Sequence, residues 1–137
     1  MANTKQREQT YAEDEIKARL QKDLPFWWYE NGWIRRKFKT HGWKGTLMVI
    51  NTVGHLAEAA WHHPDITASY AWVEIRLMNH AAKGITDKDF ELAKKIEDVV
   101  GWHPGEAAKR TRDGFGHGRG PRLSARRRDQ PGLSYLI

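Results

Sequence analysis

The chain has 137 residues, 39% hydrophobic and 11% aromatic, which suits one domain of ordinary size and argues against wholesale disorder. It contains no cysteine, which excludes disulfides, thiolate metal sites and a cysteine nucleophile. The formal charge of +6 is uneven: residues 1–102 carry 15 basic and 14 acidic side chains, residues 103–137 eight and three.

Met1 to Gln9 is polar, without the apolar stretch of a signal peptide, and is expected to be a flexible N-terminus over 1–10. In YAEDEIKARLQK, Ile16 and Leu20 stand four apart among charges, which predicts a short amphipathic helix. Thr10 and Glu13 have the spacing of a capping box at its start, and Leu24-Pro25 ends it. Asn31-Gly32 between two aromatic, β-favouring runs predicts a hairpin with strands near 26–30 and 33–39. Helical spacing returns from Trp43 to about Trp61, with Trp43, Leu47, Ile50, Gly54 and Ala57 as one stripe, widened by Leu56 and Ala60. Pro64 stops this helix by His63.

PDITASY reads as a loop leading into AWVEIRLMN, where Val73, Ile75 and Leu77 alternate with Glu74 and Arg76: a strand buried on one side. A further strand is sought near 80–85. Thr86 then caps a last helix with Leu92, Ala93, Ile96, Val99 and Val100 on one face, ended by Gly101 and Pro104. The folded domain is thus expected over 11–104, as a small α+β unit. All seven tryptophans precede residue 103, while six of twelve glycines and three of five prolines follow it. Residues 105–137 therefore read as a basic Gly/Arg-rich tail, disordered for want of apolar material, with Leu133 to Ile137 apolar enough to dock somewhere. Arg119, Arg122 and Arg126 to Arg128 could attract phosphate, but no nucleic-acid-binding motif accompanies them, so a nucleic-acid partner is not expected. No apolar run approaches the roughly 20 residues a membrane helix needs, so the expectation is a cytoplasmic protein with no membrane partner.

His62, His63 and His80 stand where helix or strand meets loop. Histidine ionises near neutrality and suits proton transfer. Each is by composition more often a surface or capping side chain. A metal site is the rival reading, but adjacent His62 and His63 do not have the i, i+4 spacing of a helical metal pair, and there is no thiolate or close carboxylate at ligand spacing. Acid–base chemistry without a metal is preferred.

The ordered set Glu58, His62-His63-Pro64, Tyr70, His80 and Asp89, with AEAAWHHPDITASYAWVEIRL and TDKDFELAKKIE around it, resembles the pterin-4a-carbinolamine dehydratases (4a-hydroxytetrahydrobiopterin dehydratases) over roughly residues 25–102. The resemblance implies an antiparallel sheet of about four strands with three helices on one face, assembled into homodimers or homotetramers. It implies a hydro-lyase that dehydrates 4a-hydroxytetrahydropterin to quinonoid dihydropterin in pterin recycling, the pterin being substrate and no cofactor being needed. His62, His63 and His80 would be catalytic, and Pro64 and Tyr70 would shape the substrate site. Glu58 and Asp89 would either orient a histidine or serve the helices, since Asp89 also falls at the capping-box position after Thr86. The alternative is a non-catalytic scaffold on the same fold, of the transcription-factor dimerisation or Rubisco assembly type. The three histidines favour the enzyme. Trp72, opposite Val73 in strand alternation, is expected on the sheet face away from the helices, near a subunit interface.

Overall fold

A computed structural model describes residues 8–104 and 133–135. The elements run α1 (Glu13–Asp23), β1 (Trp28–Glu30), β2 (Trp33–Lys39), α2 (Trp43–Ala60), β3 (Asp65–Ser69), β4 (Trp72–Leu77), α3 (Asp87–Val100) and β5 (Leu133–Tyr135). Four strands form an antiparallel sheet in the order β1-β2-β4-β3, and the three helices pack on one face. This is the α+β class expected from the element order.

Asn31 and Gly32 both take positive φ, 49° and 82°, and close β1 onto β2 as a two-residue hairpin. β1 is shorter than expected because Trp27 N–H turns back to the Leu24 carbonyl. Ile34 and Phe38 of β2 and Val73, Ile75 and Leu77 of β4 are buried under the helices, with Ile16, Leu20, Val53, Phe90, Ala93 and Ile96 completing the core. Burying each large aliphatic or aromatic side chain contributes about 1.5–3 kcal/mol, and this layer is the main source of stability. Trp72, Glu74 and Arg76 alternate onto the other face, where the Lys37 ammonium lies over the Trp72 ring.

The buried stripe of β2 also contains a cation. Arg36 Nε and Nη2 donate to Glu97 of α3 at 2.8 and 3.0 Å, and Trp27 Nε1 donates to the same carboxylate at 2.9 Å. A paired, bidentate guanidinium is the form in which a charge is tolerated there.

Several local expectations need correction. The missing strand is Asp65–Ser69, within the segment read as a loop; near 80–85 there is instead a single bridge between Asn79 and Gly84. β3 is an edge strand with only Ile66 packed against the core, so it carries no hydrophobic alternation to find. The helix-facing stripe of α2 is Thr46, Val49, Val53 and Ala57, while Trp43 and Leu47 are exposed. This helix is apolar around much of its circumference, so periodicity alone could not choose a face. Val99 likewise faces out from α3.

Thr10 does not cap α1, which has Ala12 at its N-cap; a Cβ on Gly84 would come within 2.8 Å of Thr10 Cγ2. Tyr11 N–H donates to the Ile85 carbonyl, and Glu8 bonds Asn79 and Lys88, so the packed body reaches back to Glu8. The expected tail lies outside the described residues except for β5, which pairs in parallel with Lys37–Lys39 of β2, beyond the end of β1. No described helix is long and apolar enough to cross a membrane.

Candidate active site

One end of the domain gathers the C-terminus of α2, the start of β3, the end of β4 and the N-terminus of α3. Antiparallel pairing sets this: Asp65 is opposite Arg76, so Pro64 and the residues after Leu77 leave the sheet on the same side. α2 stops with Trp61 in the left-handed region, φ 50°, its N–H bonded to the Glu58 carbonyl while His62 N–H returns to Ala57. That turn directs His62 towards α3. Pro64 prevents the helix from continuing and passes the chain into β3.

His62 Nε2 lies 2.5 Å from Asp89 Oδ1, with the His62 side chain 12% exposed and Asp89 fully buried. The other oxygen of Asp89 accepts the Thr86 backbone N–H at 2.9 Å in a capping box at the start of α3. The two roles open to Asp89 are therefore both filled. A carboxylate only accepts hydrogen bonds, so in this contact Nε2 is the donor and Asp89 the acceptor. His62 also lines a cleft of about 360 Å³ between α2 and α3, with Leu56, Ala60, Lys88, Glu91 and Leu92 around it. A second depression, about 440 Å³, lies over the N-terminal segment and carries no histidine. The chemistry favours the first, where an apolar wall meets an oriented imidazole.

His63 Nε2 is 3.1 Å from Glu58 Oε2, and its ring packs edge-on against Trp61. Both partners are largely exposed, at 53% and 66%. His80 is exposed in the turn after β4 and packs edge-on against Trp33. Among the described residues no hydrogen bond joins it to His62 or His63, although it shares their end of the molecule. Tyr70 does not. It follows β3 at the opposite end, over Gly42 at the N-terminus of α2, and its carbonyl accepts the Thr46 hydroxyl at 2.9 Å. An 18-residue helix, roughly 27 Å long, separates the two ends. Within one chain Tyr70 is thus not part of the histidine site.

Reading the sequence gave no role to Asn79 or Glu8, which border the site. Glu8 Oε2 accepts from Asn79 Nδ2 and its other oxygen pairs with Lys88 at 2.7 Å. The hydrogen bond between them holds the Glu8 carboxyl below its ordinary value and the Lys88 ammonium above its own. Such long-range polar pairs have no spacing signal. No group of three or more His, Asp or Glu among the described residues converges to hold a metal ion.

The profile of the family described as pterin 4 alpha carbinolamine dehydratase matches residues 9–99. The chain belongs to this family. A relative from Aquifex aeolicus, provisionally named a pterin-4-alpha-carbinolamine dehydratase, is 42% identical over 89 residues, covering 65% of this chain and 89% of the relative. A Sulfolobus acidocaldarius relative with the same provisional name is 37% identical over 87 residues, covering 64% and 94%. Among solved structures, a transcriptional coactivator/pterin dehydratase from Brucella melitensis superposes with a TM-score of 0.61 at 24% identity, covering 66% of this chain and 98% of that one. That likeness bears on the fold alone.

Proposed function

We propose that the protein dehydrates a 4a-hydroxytetrahydropterin to the quinonoid dihydropterin, the step that returns a pterin to its cycle after an aromatic amino acid hydroxylase has used it. The reading rests on family membership and on one observation: an imidazole held by a fully buried carboxylate at the wall of a ligand-sized cleft. In the reaction the C4a–O bond breaks and the departing oxygen takes up a proton to leave as water. A ring N–H gives up its proton, and its electron pair forms the new C=N bond. No electron acceptor is required. His62, through Nδ1, is a proton-transfer group, with Asp89 fixing its tautomer and direction; His63 and His80 supply the remaining proton transfer from the same end of the domain. Glu58 steadies His63, and Pro64 sets where the pair leaves α2. No metal or redox cofactor takes part.

The test is the rate of 4a-hydroxytetrahydropterin dehydration with and without the purified protein, before and after chelator. Acceleration that survives chelation is expected; a rate equal to the uncatalysed one sinks the reading.

The same proposal includes self-association. Trp43, Leu47, Met48 and Trp61 leave apolar surface along α2, and Trp72 adds to the outer sheet face. Such surface is commonly covered by a second copy through twofold contacts. Sedimentation is expected to give a homodimer or homotetramer, and a monomer at micromolar concentration would refute it.

A further inference from the structure

Asn79 is buried, yet it is a polar side chain at the end of a strand whose inward neighbours are all apolar. Every polar atom it has is used. Its Oδ1 accepts the Ala82 N–H at 3.1 Å, inside the turn that carries His80. Its Nδ2 donates to Thr86 Oγ1 at 3.3 Å and to Glu8 Oε2 at 3.1 Å. Its backbone closes the same turn in both directions, N–H to the Gly84 carbonyl at 2.9 Å and carbonyl to the Gly84 N–H at 3.3 Å. Thr86 in turn caps α3 together with Asp89, the carboxylate that holds His62. One side chain therefore touches the turn bearing one histidine and the cap that fixes the partner of another.

We propose that Asn79 is a positioning residue for both His62 and His80, anchoring the turn of the second and, through Thr86 and Asp89, the ring of the first. This rests on the dehydratase reading for its effect on rate, but not for its effect on the histidines themselves. Glu8 is the outer clamp: by accepting from Nδ2 it fixes which way the amide faces, so that Oδ1 points to Ala82 and the NH2 group to Thr86. An amide serves here because it accepts on one side and donates on the other; an aspartate could only accept. Displacing a proton-transfer group by a fraction of an ångström to an ångström costs rate without removing any group that touches substrate.

The experiment uses Asn79→Ala and Thr86→Val in the full-length protein, read by steady-state kinetics and by NMR of the histidine rings. Asn79→Ala is expected to lower kcat roughly tenfold with KM changed less than about threefold. The His62 Nε2–H resonance should shift or broaden, and the His80 ring signals should move. Thr86→Val removes only the hydroxyl between Asn79 and Asp89; it should disturb the His62 resonance and leave His80 in place. Ring signals that superpose on the wild type in both variants overturn the proposal, whatever happens to kcat. If Asn79→Ala does not fold, the His62 resonance in Thr86→Val decides. A wild-type protein without dehydratase activity refutes the proposed function, while the ring signals still decide whether Asn79 positions the histidines.

Discussion

His62 and His63 are neighbours in the chain, and each ring nitrogen faces a carboxylate, yet the two pairs differ in what surrounds them. His62 with Asp89 is nearly or fully buried and is joined to the cap of α3; His63 with Glu58 stands in solvent, five residues apart on one stretch of chain. In a water-poor setting the carboxylate has few other partners, so the ring keeps one orientation and one tautomer. In water the same contact competes with solvent and adds about 0–1 kcal/mol. Burial, more than the identity of the pair, gives one of them a fixed orientation.

The largest expected difference is in rate. His62→Ala should lower kcat about 10²-fold, and Asp89→Asn should lower it substantially by releasing the tautomer. Glu58→Gln should cost about tenfold or less, because its solvent-exposed contact only steadies His63. Steady-state kinetics on folded variants would break the comparison if the Glu58 and Asp89 variants fell equally.

Stability comes next. Asp89→Ala removes a helix cap and leaves a buried ring nitrogen without its partner, at a combined cost of about 2–4 kcal/mol. Glu58→Ala should cost less than about 0.5 kcal/mol. Urea unfolding distinguishes them.

The smallest effect is expected in acid, at a carboxylate exposed like Glu58 but better bonded. The Tyr11 hydroxyl, and after it Arg19, hold the Asp87 carboxyl below its ordinary value of 3.8. A carboxyl depressed in the folded state adds stability that is present above its unfolded pKa and lost as pH falls through the folded one. The urea midpoint should therefore drop below about pH 4, and Tyr11→Phe should make that drop shallower. An unchanged acid profile in Tyr11→Phe would show that exposure cancels the contact.

The two histidine pairs also mark where reading the sequence reached its limit. The capping-box spacing of Thr86 and Asp89 is local, and so is the turn at Asn31-Gly32; both appear in the structure because they depend only on nearby backbone geometry. The face of α2 and the edge strand β3 were not legible. An apolar helix offers periodicity no contrast, and an exposed edge strand offers no alternation. Nothing local to Leu133–Tyr135 says where it docks; it pairs with Lys37–Lys39 of β2, past the residues that the short β1 reaches.

The α+β class, the hairpin, the cap of α3 and the set of residues that could move protons are legible in the sequence, because each follows from local chemistry or from the ordered family motif. Which carboxylate meets which histidine depends on the tertiary structure. It put Asp89 against His62 across 27 residues, left Tyr70 at the far end of α2, and made Asn79 and Glu8 neighbours of the site. The reason is geometric. Antiparallel pairing of β3 with β4 and the left-handed turn at Trp61 fix which ends of the elements converge, and such contacts between distant residues leave no spacing in the sequence to be read.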